Sequence, residues 1–456
     1  MSKQNKVVRG EFAYSKSDLA ALAQTALGYA KNLGGTACDV EVTEGFGQSV
    51  TVRLGEVETI EYNRDKGVGV TVYVGQQKGH ASTSDFSAKA IEDTVRAAFS
   101  IARYTAADDC AGLADPARLA HNAPDLDLCH PWALSVEDAI AQAQQCEDAA
   151  RGVDARISNS EGATVGTQCS HFIYANSNGF CDGYATSRHS ISCSVIAESA
   201  GGMQRDYWYS VARRAQDMQG ALDVGRIAGE RTVRRLDARK VATCQVPVLF
   251  EASLASGLIG HFVGAISGSS LYRKSTFLLD SLGQEVLAPH LDLHEDPHVP
   301  RGKGSAPFDD EGVVTRARDV VRGGVLQGYF LSSYSARKLG MRTTGHAGGS
   351  QNLRLSSRLT QPGDDLDAML RKLGRGLFVT ELMGQGVNGV TGDYSRGAAG
   401  YWVEGGRIVH PVHEVTIAGN LKDMLREIAA VGADAYTQGS RTLGSVLVSR
   451  MKLAGA

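Results

Sequence analysis

The stretch Pro247–Phe262, PVLFEASLASGLIGHF, decides the fold of the C-terminal half of the chain. Its apolar opening leads into a run of small and apolar residues, and this pattern predicts a helix from Glu251 to Ser267. The helix carries one imidazole, His261, with no carboxylate or second imidazole at the spacing of a metal site. A lone histidine of this kind more often packs against its neighbours than binds a metal.

Five later segments of the chain also have distinctive sequence patterns. They are Ser270–Asp280 (SLYRKSTFLLD), Phe308–Val314 (FDDEGVV), Gly328–Gly349 (GYFLSSYSARKLGMRTTGHAGG), Val379–Trp402 (VTELMGQGVNGVTGDYSRGAAGYW) and Val415–Met424 (VTIAGNLKDM). Together with the pattern V-L-x-x-x-A/S-x-x-x-G-L-x-G-x-F around the helix, they resemble the TldD/PmbA family, in its PmbA branch, which is also called TldE. The resemblance extends over nearly the full chain. Members of the family are also described as modulators of DNA gyrase.

For the catalytic TldD-type members, the resemblance implies an H-E-x-x-x-H helix before the shared G-L-x-G and a zinc-binding cysteine in a late G-T-C-G segment. The positions that correspond to the two histidines, the glutamate and the cysteine hold Glu251, Ser256, Ala252 and Leu443, respectively. No tetrahedral zinc shell can be assembled from these side chains. The resemblance therefore implies that this chain has neither a catalytic residue nor a metal ligand at these degenerate positions.

The resemblance implies a non-catalytic subunit that forms a heterodimer with a TldD-type chain. Zinc is expected in that partner, and no cofactor is expected in this chain. The implied substrates are unfolded peptides, including microcin precursors and antitoxins, which the two subunits would enclose in a chamber. A homodimer can form in isolation, because a surface built for a homologous subunit can often pair with itself.

Several polar residues lie in otherwise small or apolar segments, where arginine and tyrosine suit an interface or a peptide-binding wall. We expect the chamber or partner wall to include His261, Tyr272, Arg273, Lys274, Tyr334, Arg337, His346 and Arg396. Ordinary salt-bridged or capping roles explain the same residues equally well.

Two other functions are alternatives. The sequence His294–His298, HEDPH, satisfies H-E-x-x-H, so an autonomous metallopeptidase could use His294, Glu295 and His298. That motif works only on a helix, and Pro297 disfavours one, so we predict an extended surface loop here. The second alternative is a regulator that binds the DNA gyrase protein.

Composition limits the function further. The 456 residues are 43% hydrophobic and 21% charged with a net charge of -3, which favours a globular protein and gives no basic field for nucleic acid. Residues 1–16 contain no apolar core of a signal peptide, and no run approaches the roughly 20 apolar residues of a membrane span. We expect a cytoplasmic protein with no nucleic-acid or membrane contact. Its eight cysteines form no C-x-x-C pair and should be free, buried thiols.

The hydrophobic periodicity predicts an α+β protein in three segments. Residues 1–104 form an N-terminal α+β segment, and residues 105–236 form a helix and a strand-rich segment that pack with the first as one lobe. Residues 237–456 form a C-terminal domain of mainly antiparallel strands with a few helices. Further predicted helices are Ser17–Leu33, Ser87–Arg103, Ser135–Arg151, Leu222–Leu236, Leu366–Gly374 and Leu421–Gly432. Predicted N-terminal strands are Asp39–Thr43, Ser49–Leu54, Val57–Tyr62 and Val68–Val74.

Overall fold

The computed structural model describes residues 11–455. Strands account for 40% and helices for 24%, and nearly all paired strands run antiparallel, which confirms the α+β class. The expectation about a signal peptide rests mostly on residues 1–10, which lie outside the described part. Within the described part, no helix is both long enough and apolar enough to cross a membrane.

The chain divides into two compact units. Among the described residues, unit 1 comprises 11–197, Arg205–Val233 and Pro307–Thr315. Unit 2 comprises Glu198–Gln204, Arg234–Ala306 and residues 316–455. The predicted segment limits after residues 104 and 236 stay predictions.

Unit 1 is built around one sheet with helices packed against it. Its helices are α1 (Lys16–Asn32), α2 (Ala88–Tyr104), α3 (Val136–Arg151) and α4 (Ala221–Arg234). The strands of its sheet are β1 (Ala37–Arg53), β2 (Glu56–Val74), β3 (Gln77–Thr83), β4 (Asn159–Asn176), β5 (Cys181–Asp182), β6 (Ala185–Ser199) and β7 (Gly202–Ala212). The strand order is β3-β2-β1-β4-β6-β7, with β5 paired to β4.

Helix α1 shows why the N-terminal helices were predictable. Ser15 caps it by accepting a hydrogen bond from the Asp18 amide, and the Asp18 side chain accepts from Ser15 in return. Leu19, Ala23, Ala26 and Ala30 are buried at helical spacing. The predicted helices that correspond to α1, α2, α3 and α4 are confirmed to within two residues at each end.

The four short strands predicted between residues 39 and 74 are wrong as separate elements. They are the two long strands β1 and β2, joined at Leu54–Gly55 and paired along their whole length. Polar and glycine residues around Glu44 interrupt the apolar alternation, but backbone pairing continues through them. Strand pairing depends on main-chain hydrogen bonds, so a local loss of apolar alternation does not end a strand.

Strand β2 has an open edge over its first half. Strand β3 pairs only with Val68–Val74, so within residues 11–455 the segment 56–66 pairs with β1 alone. Three large side chains on this segment are 41–49% exposed: Val57, Ile60 and Tyr62. An unpaired edge of this length offers a row of main-chain donors and acceptors to another strand.

Unit 2 contains two six-stranded sheets. Its helices are α5 (Ala252–Ala265), α6 (Gly268–Tyr272), α7 (Ser333–Lys338), α8 (Leu366–Leu373) and α9 (Leu421–Arg426). Its strands are β8 (Cys244–Phe250), β9 (Leu291–Asp296), β10 (Arg318–Arg322), β11 (Val325–Leu326), β12 (Asn352–Ser357), β13 (Gly376–Met383), β14 (Asp393–Glu404), β15 (Arg407–Asn420), β16 (Ile428–Val431), β17 (Tyr436–Gln438), β18 (Arg441–Leu443) and β19 (Val446–Ala454). The sheet orders are β11-β10-β9-β12-β18-β17 and β15-β14-β13-β8-β19-β16.

Helix α5 follows directly from β8 and belongs to the main core of unit 2. Its buried residues are Ala252, Ala255, Ser256, Leu258, Ile259, Phe262 and Ala265. Burial of a side chain such as Phe262 contributes about 1.5–3 kcal/mol. The helix predicted from Glu251 to Ser267 is confirmed to within two residues at each end.

Two other predictions for unit 2 need correction. The helix predicted from Leu421 to Gly432 ends at Arg426, because Ile428–Val431 pairs with β19 as a strand. The stretch His294–His298 is not a surface loop over its first half, because His294 and Glu295 belong to β9. Its proline follows the end of that strand.

The cysteines are all free thiols, as expected. Four are buried, and they are Cys38, Cys146, Cys169 and Cys193. Burial is not general, however, because Cys181 is exposed.

Candidate functional site

The first turn of α5 carries three of the four degenerate positions. Glu251 precedes the helix as its N-terminal cap residue, and its Oε2 accepts a hydrogen bond from Ser253 Oγ at 2.6 Å. Ala252 and Ser256 are buried, and Ser256 Oγ donates to the Ser253 carbonyl at 3.3 Å. This turn therefore offers one carboxylate and one hydroxyl, and the hydroxyl hydrogen is directed at its own helix.

The fourth position, Leu443 in β18, is 2% exposed and belongs to the main core. Zinc in proteins is held by three or four thiolate, imidazole or carboxylate donors. Within residues 11–455 no three histidine, cysteine, aspartate or glutamate side chains are grouped so that they could hold an ion. The residues at the degenerate positions do not fit zinc, and no catalytic step on a metal follows from them.

A basic cluster lies further along α5. The Arg441 guanidinium comes from β18 and lies beside Gly260, with Nη1 3.1 Å from where a Cβ on that glycine would be. The half-buried His261 ring meets the Tyr394 ring edge-on, with centroids 6.1 Å apart. Arg396, two residues after Tyr394 on β14, also lies near His261. The structure thus brings together His261 and Arg396, which the sequence had suggested separately.

The three ionisable groups of this cluster, His261, Arg396 and Arg441, are all basic. Burial lowers the pKa of His261, and the positive charges of Arg396 and Arg441 lower it further. Burial also lowers the pKa of the Arg441 guanidinium. The Arg441 Nε is buried and has no hydrogen-bond acceptor in the described part of the chain. The cluster can therefore attract an anion but offers no base that is protonated easily.

A second group of expected wall residues forms an aromatic corner between α6 and α7. The rings of Tyr272 and Tyr334 meet edge-on at 5.8 Å, and the Arg273 guanidinium lies 5.4 Å from the centre of the Tyr272 ring. Arg337 lies on α7 beside them, and the neighbouring Lys274 is exposed. These residues form a partly exposed surface that suits a contact with another chain.

His346 lies apart from both groups, in the interior of unit 2. Its Nε2 donates to the Glu295 carboxylate at 2.8 Å, and the two side chains are 2% and 0% exposed. The Arg318 guanidinium donates to the same carboxylate at 2.9 Å and lies 4.8 Å from the centre of the Phe330 ring. A wall role for His346 is therefore not supported, because its side chain is enclosed by its own unit.

The hydrogen bonds of Glu295 with His346 and Arg318 also argue against an autonomous metallopeptidase. Strand alternation points Glu295 inward and leaves the His294 side chain 49% exposed, where its Nδ1 contacts Asp319 Oδ1 at 2.8 Å. A zinc-protease motif needs both histidines on one face of a helix with the glutamate between them. Here His294, Glu295 and His298 do not share a helix or a face.

Sequence reasoning missed Arg441, Tyr394 and Arg318. Arg441 lies two residues before Leu443, and α5, which it approaches, is far away along the chain. Tyr394 gave no local signal, because its burial depends on α5. Arg318 gave none either, because its partners Glu295 and His346 are 23 and 28 residues away along the chain.

Unit 1 has a separate cleft over a face of its sheet, lined by residues of β1, β2 and β4 and by the segment 132–137. It has a volume of about 700 Å³, and its walls include Phe46, Tyr62, Trp132 and Leu134. Arg64 lines the same cleft and lies 5.5 Å from the centre of the Phe46 ring. Aromatic walls next to a strand with a described neighbour on one side only suit an extended polypeptide with apolar side chains.

Comparison with known proteins gives a match along most of the chain. Residues 38–102 match the PmbA/TldA metallopeptidase domain 1, residues 129–236 match the central domain, and residues 243–455 match the C-terminal domain. The chain is 51% identical to Metalloprotease PmbA of Escherichia coli O157:H7 over 417 residues, which are 91% of this chain and 92% of the relative.

Solved structures show the same fold. A Bacteroides thetaiotaomicron protein named for modulation of DNA gyrase superposes with a TM-score of 0.89 at 28% identity, covering 96% of this chain and 98% of the other. TldE from Thermococcus kodakarensis gives a TM-score of 0.82 at 17% identity, covering 95% and 100%, and this similarity shows the fold alone. Because the family models and the 51% identical relative span most of its length, this chain belongs to the PmbA/TldA metallopeptidase family.

Proposed function

We propose that this chain is a non-catalytic subunit of a metallopeptidase that acts on unfolded peptides. The observation that carries the proposal is the contrast between a metallopeptidase family and the side chains at the degenerate positions of α5 and β18. Glu251, Ala252, Ser256 and Leu443 supply a single strong metal donor between them, whereas a catalytic zinc site needs three protein ligands and a base. Cleavage would then depend on a second, TldD-type chain that carries the zinc.

The contribution of this chain would be binding and enclosure of the substrate. In unit 1 the segment 56–66 of β2 pairs with no described strand other than β1, and the cleft over the same part of the sheet has Tyr62 and Trp132 in its walls. An added strand is bound through its backbone, so its sequence matters little. Unfolded peptides, including microcin precursors and antitoxins, suit this mode of binding, and we place the complex in the cytoplasm.

Contact with the partner is proposed for the aromatic corner of unit 2. Tyrosine and arginine are enriched where binding energy is concentrated, and Tyr272, Arg273 and Tyr334 present both types on one surface. In the absence of the partner, two copies of this chain would pair through the same surface.

The test is cleavage of fluorescein-labelled α-casein, an unfolded polypeptide, by this chain, by a co-expressed TldD-type chain, and by the two together. We expect chelator-sensitive cleavage only when both are present, together with a heterodimer in size-exclusion chromatography. Glu251→Gln and Ser256→Ala in this chain should leave that cleavage unchanged, because neither residue acts on substrate. Chelator-sensitive cleavage by this chain in a sample free of partner would refute the proposal.

Binding of DNA gyrase is the second candidate, because the Bacteroides structure carries that name. The net charge of -3 disfavours direct DNA contact but leaves contact with the gyrase protein open. A tagged chain should be recovered from lysate and its companions identified by mass spectrometry. A TldD-type chain as the main companion supports the subunit role, and gyrase without it supports the second candidate.

A further inference from the structure

Two arginines from different strands approach the middle of α5. The Arg441 guanidinium lies against Gly260, with Nη1 and Cζ 3.1 and 3.5 Å from the position of a Cβ on that residue. Arg396 follows Tyr394 by two residues on β14, and the Tyr394 ring meets the His261 ring edge-on. Because alternate residues of a strand share a face, Arg396 lies on the same side as Tyr394. Arg396 and Arg441 both lie near enough to His261 for their charges to act on its ring.

This basic cluster has no counter-charge in the described part of the chain. Neither Arg441 nor Arg396 forms an ion pair with a carboxylate of residues 11–455. Burial lowers the pKa of both Arg441 and His261, which shows that their charged forms are poorly solvated. A buried charge and a buried N–H without a partner are both costly, and a bound anion would remove both costs.

We propose that Arg441, Arg396 and His261 form a binding site for a carboxylate of a bound peptide. A guanidinium presents paired N–H groups that match the two oxygens of a carboxylate, and the buried Arg441 Nε is a donor that still lacks an acceptor. The Tyr394 ring provides an apolar side to the site. The choice of a peptide as carrier rests on the proposed function. The carboxylate comes either from the C-terminus of the peptide or from an aspartate or glutamate side chain.

The carboxylate site lies on the same helix as the degenerate metal positions. His261 is five residues beyond Ser256, so the site is more than one turn along α5 from the first turn. A peptide held there by a carboxylate would have a fixed end or a fixed acidic side chain. The site would therefore add selectivity for acidic or C-terminal segments to the sequence-tolerant binding of an extended backbone.

The test is a titration of the isolated full-length chain, labelled with ¹³C at histidine Cε1, followed by NMR. The probes are N-acetyl-tetra-alanine with a free C-terminal carboxylate, its C-terminal amide, and the amide of N-acetyl-Ala-Asp-Ala-Ala. We expect saturable movement of the His261 signal with a probe that carries a carboxylate, at a midpoint about tenfold lower than with the uncharged amide. The free acid and the aspartate probe distinguish the two sources of the carboxylate.

Three variants control the titration. Arg441→Gln and Arg396→Gln should each bring the carboxylate and amide midpoints together. If one of these variants does not fold, the other still tests the site. Arg354→Gln is the matched control, because Arg354 is exposed on the neighbouring β12 and pairs with Thr442 beside Arg441. It should behave as the unaltered chain does. The remaining histidine signals report whether each variant is folded.

Equal midpoints for both carboxylate probes and the uncharged amide, no saturable movement of the His261 signal with either carboxylate probe, or an undiminished difference in folded Arg441→Gln would each overturn the carboxylate site. The titration needs no partner chain and measures no cleavage. If the chain binds the carboxylate but forms no heterodimer, the carboxylate site is supported and the proposed subunit role is refuted. If the chain forms a heterodimer but does not bind the carboxylate, the subunit role is supported and the carboxylate site is refuted.

Discussion

The Glu295 carboxylate accepts a hydrogen bond from His346 Nε2 at 2.8 Å inside unit 2. Its Oε2 also accepts from Arg318 Nε at 2.9 Å, and its Oε1 accepts from the Gln351 backbone amide at 2.8 Å. A fully buried carboxylate is tolerated only when such partners surround it. These bonds tie β9 to β10 and to the segment that leads into β12, so the ion pair supports the sheet that contains β18.

Removal of the Glu295 charge should destabilise the protein strongly. Glu295→Gln keeps the size of the side chain but leaves the Arg318 charge without its carboxylate, and we expect a loss of about 3–5 kcal/mol in the free energy of unfolding. Urea denaturation at pH 7 measures this. The control is Glu427→Gln, because Glu427 pairs with Arg450 at the surface and should lose about 1 kcal/mol or less. Similar losses in the two variants would contradict the interpretation.

Acid should weaken the Glu295 network. Burial alone would raise the pKa of Glu295, but the hydrogen bond and charge of His346 and the charge of Arg318 outweigh it, and the pKa is lowered from 4.5. A carboxylate with a lowered pKa stabilises the fold at pH values above 4.5, and this stabilisation is lost as the pH falls through its folded-state pKa. The urea midpoints of the unaltered chain and Glu295→Gln should therefore converge as the pH falls below 4.5. A constant difference would show that the charge of Glu295 is not the cause.

Asp39 in β1 should give the opposite pH dependence. Burial raises the pKa of Asp39 from 3.8 to about 6, while hydrogen bonds with Thr71 and Tyr73 offset part of the effect. A carboxyl with a raised folded-state pKa destabilises the fold when it is ionised, so the penalty is absent below pH 3.8 and complete above about 6. Asp39→Asn should therefore raise stability at pH 7 by about 1–3 kcal/mol and have a much smaller effect near pH 4. Thermal unfolding at the two pH values measures this, and a variant less stable at pH 7 would contradict it.

Two helical glycines should respond in opposite ways to alanine. A Cβ on Gly225 in α4 would enter the contact distance of the Cys146 carbonyl oxygen of α3, whereas a Cβ on Gly264 in α5 would meet no atom within 4 Å. Gly225→Ala should lower the free energy of unfolding by about 1–3 kcal/mol through overpacking of backbone. Gly264→Ala should raise it by about 0.5–1 kcal/mol, because alanine is the better helix former. Urea denaturation of both variants checks the contrast, and the same sign for both would contradict it.

The helices could be predicted from the sequence because their signals are local. Ser15 and Asp18 cap α1 within four residues, and Leu19 and Ala23 mark its buried face. The same holds for α5, whose small and apolar residues are contiguous. The helix predicted from Leu421 to Gly432 was too long, because Ile428 pairs with β19 as a strand instead of extending α9. That pairing involves residues distant along the chain.

The sites could be predicted only in part, because their partners are distant along the chain. The family resemblance located Ala252 and Leu443, and their side chains then showed that metal donors are missing there. The pairing of Glu295 with His346, 51 residues away, was not evident, and prolines around β9 suggested a loop. The alternation of Leu291, Leu293 and Glu295 was the signal that could have revealed the strand. Arg441 needed the position of α5 before its charge could be related to a site.

The open edge of β2 should be visible in hydrogen exchange. Segment 56–66 pairs with β1 alone, whereas residues 39–52 of β1 pair with both β2 and β4. Amides that lack a strand on one side exchange with water sooner, so peptides from 56–66 should gain deuterium faster than peptides from 39–52 in mass spectrometry. Saturating α-casein should slow exchange in 56–66 and leave 39–52 unchanged, since an added strand would pair along this edge of β2. The control is the second half of β2, Val68–Val74, which β3 already covers and casein should not affect. Equal exchange in the two halves of β2, or casein protection confined to the covered half, would show that this edge is not where the polypeptide binds.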